Sequence, residues 1–517
     1  MLKGYASAPN HISCLECGQV PYPSNTGYVT PDPIIDSPQV WSFVSEPDLH
    51  PMKVTINKYK HGTSSGLIFL APYAFSADAG YGQPGSLILD KKGNPVWFRP
   101  LSSPNLMNTD FRMQKLFGEP VLTFWQGTLA TAPAYTNAPG GSSEPGSCYF
   151  ILDNSYKVIG TVAAYNGYTS DIHEFHLTPE NTALFLSTMS VPMDLTPYGG
   201  PQNGYVQDFA IQEIDLKTNQ LLFFWNALSH IPLSDSYSDA SSAVSTGNIW
   251  DAYHLNSIGL TNDRNKILVS GRNTWTIYKI KKSNGKILWR LGGKQSDFAI
   301  KKNASFSWQH HARFISHNVV SLFDDNSDGS ATPEPPSHGL LLKLDFHHMT
   351  AHLHRSYYHN PNISVGSQGS VQKLPNGNRF VGWGQSQYFS EYAQGGNTEN
   401  HPEHNLLYDA QMPSTNYSYR AYCFEWVGTP DFPPSIAVQS QNGQVLVYAS
   451  WNGSTETASW KLFSGRSKND LSHVKTVDRN GFETIIKSKK MGPYFKVEAL
   501  NDKGDVIGVS PIVQIEF

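Results

Sequence analysis

A repeat of about 62–66 residues organises most of this 517-residue chain. Each copy joins an apolar strand-like segment to a second one that carries aromatic residues, through a turn that starts at a polar residue. The matched turn positions are Asp90, Asp153, Asp215, Lys281 and Asp345. Residues 420–426 resemble one further strand that could close a ring. Units of four strands that recur five or six times are typical of a β-propeller.

The rest of the chain divides around this repeat. Residues 1–45 are rich in Pro, Gly and Ser and predict a loop-rich leader, and we expect the propeller to span residues 46–430. Beyond a proline-rich linker, residues 431–517 contain short alternating strands, which predict a small β-sandwich of the immunoglobulin or fibronectin type III kind. With 42 Gly, 34 Pro and 12% aromatic residues, the composition also favours an all-β fold.

Charge and hydropathy limit the partners. The net charge of −4 and the pI near 6.5 leave no strong basic field, which argues against nucleic acid as a partner. No run of about 18 apolar residues is present, so we predict no membrane span. The first residues lack the apolar core of a signal peptide, so either the protein is cytosolic or a leader has been removed. Because Asn-x-Ser sequons are compatible with secretion, we expect a secreted or periplasmic protein.

The four cysteines do not decide the compartment. Cys14 and Cys17 form a lone Cys-x-x-Cys pair, which lacks the second pair that a zinc site would need and could form a small disulfide. Cys148 and Cys423 lie far apart in the sequence and could be free thiols.

Polar residues recur in the segments that precede each outer hairpin of the repeat. In a propeller these segments are the innermost strands and line the central channel. The equivalent positions are Gln114, His173, His254, His310 and Gln372. Polar side chains on inner strands carry a burial cost unless they line a wet cavity, so this ring is a candidate site.

Four motifs in chain order give this ring an identity. They are Asp-Ile-His-Glu-Phe at 171–175, His-Leu-Asn-Ser-Ile at 254–258, Ser-Gly-Arg at 270–272 and Gln-His at 309–310. Together they resemble the arylsulfotransferase family, in particular its fungal and actinobacterial branch. The resemblance implies a six-bladed propeller that moves a sulfuryl group from a phenolic sulfate ester to a phenolic acceptor. It implies no cofactor and no nucleotide donor such as PAPS, and a ping-pong reaction through a sulfated histidine.

The resemblance also implies roles for individual residues. His310 matches the nucleophile, Arg272 matches the channel arginine, and His254 with Asn256 matches the His-x-Asn pair of the family. His173 matches the histidine of the first motif, although His176 is close enough to compete for that role.

Further residues are expected to contact the substrate. Gln309 precedes the nucleophile, Gln114 and Gln372 belong to the polar ring, and Trp308 could help to wall a phenol-binding cavity. His311 stands where the most similar branch has an acid, so activity or substrate choice could differ if that acid orients the nucleophile.

Three other interpretations stay open. The same scaffold could hydrolyse aryl sulfates, or it could bind a ligand without catalysis. Three histidines could also hold zinc or copper, although Arg272 in the same ring would repel a cation.

Residues 324–329 match the start of a calcium-binding loop, with Asp324, Asn326 and Asp328 as the candidate ligands. The loop lacks a glutamate at its twelfth position, which is Pro335, so a turn rich in Asp and Asn is the competing explanation.

Overall fold

The computed structural model describes residues 31–74, 79–103, 106–128, 147–261, 263–330, 335–441, 443–489 and 492–515. This part of the chain consists of β-strands joined by turns, with short 3₁₀ helices at Thr196–Tyr198, Leu233–Asp235 and Ala240–Thr246. None of the described helices is long and apolar enough to cross a membrane. The predicted all-β fold is therefore confirmed.

Six antiparallel sheets of four or five strands make up the larger part of the described chain. The strands of each sheet are given from the innermost outwards. Sheet 1 contains Tyr422–Phe424, Leu67–Leu70, Gly85–Leu89 and Pro95–Pro100, and sheet 2 contains Leu106–Leu116, Glu119–Thr128, Cys148–Leu152 and Val158–Val162. Sheet 3 contains Thr169–Leu177, Thr182–Met193, Gly204–Asp215 and Leu221–Asn226. Sheet 4 contains Leu255–Leu260, Lys266–Gly271, Thr276–Lys281 and Ile287–Gly292. Sheet 5 contains His310–Ser316, Val319–Asp324, His338–Asp345 and Thr350–Tyr358. Sheet 6 contains Ser370–Lys373, Arg379–Gly382, Tyr388–Tyr392, Leu406–Gln411 and Thr55–Tyr59. Short flanking strands at Ile249–Trp250 and Ala299–Ile300 pair in parallel with sheets 3 and 5, and Pro72–Tyr73 pairs with Tyr417–Ser418.

The innermost strands close a ring. The inner strand of each sheet contacts the inner strand of the next, and that of sheet 6 contacts that of sheet 1. Tyr422–Phe424 pairs antiparallel with Leu67–Leu70, so the late strand that the sequence indicated at 420–426 completes sheet 1. This closed arrangement is an all-β propeller, and apolar clusters between neighbouring sheets hold it together.

The repeat positions lie where the third strand of sheets 1 to 5 meets the turn to the fourth. Asp90 and Asp153 follow the strand, and Asp215, Lys281 and Asp345 end it. Four of the five are aspartates, and each accepts hydrogen bonds from backbone N–H groups of its own turn. The repeat is visible in the sequence because four sheets share this capped hairpin.

Residues after 434 form two further sheets. One contains Ser435–Gln441, Gln444–Ser450 and Glu483–Ser488, and the other contains Asp470–Asp478, Ser459–Ser467, Tyr494–Leu500, Val506–Val509 and Val513–Gln514. Inward side chains of both sheets, among them Val447, Trp460 and Phe495, share one apolar cluster. The boundaries predicted at residues 45 and 430 stay predictions.

The cysteines differ in part from expectation. Cys148, which could have been a free thiol, is disulfide-bonded. Cys423 is free and buried. Cys14 and Cys17 lie outside the described residues.

Candidate active site

Irregularities at the start of the inner strands bring the candidate residues to the axis. The pairing register shifts between Thr109 and Arg112 in sheet 2, and between Ser170 and Phe175 in sheet 3. Sheets 4 and 5 carry corresponding shifts at residues 255–257 and 310–313. Because a bulge re-aims side chains out of the regular alternation, residues from sequence-distant sheets can converge on one point.

His173, His254 and His310 meet at this point, and we call them the histidine cluster. Nε2 of His173 lies 3.2 Å from Nε2 of His254, and one nitrogen from each of the three rings lies within 4.8 Å of the others. The side chain of His310 is only 1% exposed, that of His173 is 6% exposed, and that of His254 is 25% exposed. His254 is therefore the imidazole that is most open to exchange with solvent.

Each imidazole of the cluster contacts one carboxylate through Nδ1. Asp171 lies 2.6 Å from His173, Asp251 lies 2.5 Å from His254, and Asp325 lies 2.7 Å from His310. A carboxylate at Nδ1 holds the proton there and leaves Nε2 with its lone pair, as in the catalytic triads of hydrolases.

Burial favours the neutral form of the buried His310. It lowers the pKa of His310 well below 6.5, and the positive charge of Arg272 lowers it further. Burial also raises the pKa of Asp325 well above its usual range, while Arg272 opposes this shift. For His254, burial lowers the pKa and Asp251 partly compensates.

Arg272 is fixed beside the cluster. Its backbone N–H donates to the carbonyl of His254, its Nη2 donates to the carbonyl of Gly366, and its Nη1 donates to Oδ1 of Asn273. The guanidinium stacks on the ring of Trp308 at 4.8 Å, and its buried Nε has no partner in the described structure. Trp308 is half-buried and packs edge-on against Trp275.

Asn256 and Gln309 support the cluster from behind. Both side chains are fully buried. The amide of Asn256 donates to the backbone carbonyl of Gln309, and the amide of Gln309 donates to Oγ of Ser270 and to the carbonyl of Gly271. These bonds fix the backbone that carries His310. The catalytic role expected for Asn256 and the substrate contact expected for Gln309 stay predictions.

Gln114 and Gln372 do not join the histidine cluster. Gln114 donates to the carbonyl of Phe175 and accepts from the N–H of Leu177 in sheet 3. Gln372 forms the same pair of bonds with the backbone of Cys423 in sheet 1. A primary amide offers a donor and an acceptor, so each glutamine ties its own sheet to the next one.

His311 stands where the most similar branch has an acid, but it does not orient His310 as that acid could. Its φ of 56° turns the ring away from the cluster. There Nδ1 accepts from the N–H of Val371, and Nε2 lies 3.3 Å from the hydroxyl of Tyr422. The carboxylate at the nucleophile candidate comes instead from Asp325.

His173 and His176 lie in different places. His176 lies in a separate cleft of about 530 Å³ that also contains Arg313. Its Nε2 contacts the carbonyl of Ile258 at 2.9 Å, and burial lowers its pKa to about 3. Only His173 belongs to the cluster.

A buried charge network lies next to the cluster. Glu174 pairs with Arg112, Arg313 and Arg420 at 2.8, 2.6 and 3.2 Å. Asp110 pairs with Arg420 at 2.8 Å and with Arg112 at 3.2 Å. Burial alone would raise the pKa of Glu174, but the three arginines hold it well below its usual range. Within this network three arginines face two carboxylates, which leaves one positive charge in excess.

The calcium candidates are engaged in turns. Oδ1 of Asp324 accepts from the N–H groups of Ser307 and Asn326, and Oδ1 of Asp328 accepts from Ser330. These contacts agree with the turn explanation, and part of the loop, residues 331–334, lies outside the described residues.

Several residues of this centre had no role in the sequence interpretation. Asp171 and Asp251 precede their histidines by two and three residues, a spacing that could have drawn attention to them. Asp325 is 15 residues from its histidine, and only the pairing of two neighbouring strands brings them together. Tyr419, whose buried hydroxyl has no partner in the described structure, packs edge-on against His173.

The family comparison agrees with this picture. Residues 112–401, more than half of the chain, match the arylsulfotransferase (ASST) family. No curated protein matches this chain in sequence. Similar solved structures include a protein of unknown function from Bacteroides caccae (12% identity, 64% of this chain and 92% of that chain, TM-score 0.37) and TolB from Acinetobacter baumannii (13%, 70% and 68%, 0.35). The Cps50 (Swd1) β-propeller domain of Myceliophteria thermophila is a third (9%, 77% and 97%, 0.33). At these identities and TM-scores the similarity carries no functional information.

The ring of sheets and its central histidines define the class, an all-β propeller with a polar centre on its axis. The chain belongs to the arylsulfotransferase family. This membership confirms the resemblance drawn from the motifs and supports aryl sulfotransferase activity, on small aromatic substrates, in general.

Proposed function

We propose that this protein transfers a sulfuryl group from a phenolic sulfate ester to a phenol through a sulfated His310. The observation that carries the proposal is the convergence of three carboxylate-bound imidazoles beside Arg272. A neutral imidazole with its proton held at Nδ1 presents a nucleophilic lone pair at Nε2.

In the first step Nε2 of His310 attacks sulfur, the N–S bond forms, and the bond from sulfur to the phenolic oxygen breaks. The 3.2 Å contact between Nε2 of His173 and Nε2 of His254 requires a proton on one of these nitrogens, and this proton can pass to the departing phenolate. In the second step His254 takes the proton of the acceptor phenol, whose oxygen attacks sulfur as the N–S bond breaks.

Charge stabilisation comes from the surroundings. Sulfuryl transfer resembles phosphoryl transfer, in which catalysis is mostly positioning and stabilisation of charge on oxygen. Arg272 supplies a fork of donors beside the cluster, and the surplus positive charge around Arg420 favours an anionic donor. A disulfide at Cys148 supports the proposal of a secreted or periplasmic location.

The test is incubation with an aryl sulfate, with and without a phenol acceptor. Transfer requires the acceptor, hydrolysis does not, and a binding protein releases nothing. Intact mass after donor alone should show a gain of about 80 Da on the peptide that contains His310, as a covalent route requires. His310→Ala should abolish this gain, whereas His348→Ala, from an exposed histidine–aspartate pair, should retain it. A fully active His310→Ala variant would refute the assignment.

A further inference from the structure

The histidine cluster has an unusual electrostatic feature. Each Nδ1 contacts a carboxylate, which directs the Nε2 lone pairs of His173 and His254 towards each other at 3.2 Å. Two lone pairs at this distance repel unless a proton or a cation lies between them. A proton or a cation must therefore lie between His173 and His254.

The separation between the nitrogens of His173 and His254 fits a metal ion. Zn–N bonds of about 2.0–2.1 Å place two imidazole nitrogens about 3.3 Å apart in a tetrahedral site. Nε2 of His173 and Nε2 of His254 already have this separation, and the third imidazole, His310, brings a nitrogen within 4.8 Å of both. The competing contact at Nε2 of His310 is a long hydrogen bond of 3.3 Å from the N–H of Gln368.

The surroundings also fit. Histidine ligands of zinc commonly donate their second N–H to a carboxylate, which is the arrangement at all three rings. The guanidinium of Arg272 is held by its own partners, with Nη1 on Asn273 and Nη2 on Gly366. The carboxylates of Asp171 and Asp251, which contact His173 and His254, oppose the repulsion from Arg272 that argued against a metal.

We propose that His173, His254 and His310 bind one Zn²⁺ ion through Nε2, with a fourth position open to water. Zn²⁺ displaces the proton shared by His173 and His254. It also occupies the lone pair that the proposed sulfuryl transfer needs, so Zn²⁺ competes with the aryl sulfate donor. The competition rests on the proposed function, whereas the binding does not.

The first test measures Zn²⁺ alone against the full chain after chelator treatment, by isothermal titration calorimetry. We expect one Zn²⁺ ion to bind tightly per chain, and His254→Ala should weaken its affinity at least 100-fold. Asp251→Asn, which keeps all three ligands, should weaken it roughly 10–100-fold. The matched control removes the exposed group of His401, Glu403 and His404, the second potential metal group among the described residues. His401→Ala with His404→Ala should leave this tight binding unchanged, and its loss in that variant overturns the proposal.

Co²⁺ provides a readout that does not depend on turnover. Co²⁺ in the cluster should give the intense visible absorption of a four-coordinate site, and His254→Ala should abolish it. A weak, six-coordinate spectrum overturns the proposal. If the protein binds Zn²⁺ in this way but transfers no sulfuryl group, only the proposed function is refuted. If it transfers the sulfuryl group but does not bind one Zn²⁺ ion tightly, only the zinc site is refuted.

Discussion

Oδ2 of Asp325 lies 2.7 Å from Nδ1 of His310, although Asp325 follows the second strand of sheet 5 and His310 begins the first. Both side chains are almost completely buried. The pair fixes the ring orientation of the proposed nucleophile, and its two members are joined by the sheet rather than by sequence proximity.

Replacing the carboxylate should therefore disable the nucleophile without removing it. Asp325→Asn is expected to lower kcat of aryl sulfate transfer roughly 10²–10⁴-fold, because an amide no longer holds the proton at Nδ1. Asp345→Asn, at the exposed pair with His348, is the control and should keep wild-type kcat. An unchanged kcat in Asp325→Asn would show that the pair is structural only.

Asp324 should make stability depend on pH. Its Oδ2 lies 3.8 Å from Nε2 of His338, and burial raises its pKa to about 8, whereas the pKa in the unfolded chain is about 3.9. Below pH 4 both states are protonated. As pH rises from 4 to 8 only the unfolded state ionises, so the folded state loses stability.

Asp324→Asn removes this penalty and keeps the acceptor for Ser307 and Asn326. We expect its gain in unfolding free energy to be roughly 2–5 kcal/mol at pH 8 and to shrink towards pH 4. Urea unfolding at several pH values measures this, and a gain that is the same at all of them would contradict the raised pKa.

Glu174 should be essential for folding stability. Glu174→Gln leaves three arginines, of which Arg112 and Arg420 are buried, with one carboxylate, Asp110, and should cost about 3–5 kcal/mol of unfolding free energy. Glu180 pairs with Arg264 at the surface, so Glu180→Gln should cost less than about 1 kcal/mol. Denaturant unfolding compares the two, and equal losses would contradict the importance of burial.

Trp308 should contribute to donor binding through Arg272. Trp308→Ala removes the ring on which the guanidinium stacks and should raise KM for the aryl sulfate roughly tenfold, with a smaller change in kcat. Trp308→Phe keeps an aromatic face and should recover most of the affinity. If both variants behave alike, stacking on Trp308 does not order Arg272.

The repeat was sufficient to predict the blades because each hairpin needs the same turn chemistry at Asp90, Asp153, Asp215 and Asp345. The motifs placed His173, His254, His310 and Arg272 together. Gln114 lies beyond the register shift between Thr109 and Arg112, so it does not join the histidines with which it was aligned. Gln372 lies on a regularly paired strand and bonds to Cys423 of sheet 1 instead. Asp325 was missed because only the pairing of two strands in sheet 5 brings it to His310. The partners of Glu174 were missed because they come from other parts of the ring.

The last strand of the ring has a consequence for synthesis. Tyr422–Phe424 pairs with Leu67–Leu70, segments that are about 350 residues apart, and Arg420 enters the axis just before it. On the ribosome, five sheets therefore emerge before sheet 1 can be completed. Until then the edge of Leu67–Leu70 stays unpaired and Glu174 lacks one of its three cations. The nascent propeller thus has no finished reaction centre, and it carries an open edge available for aggregation, until residue 424 has left the exit tunnel.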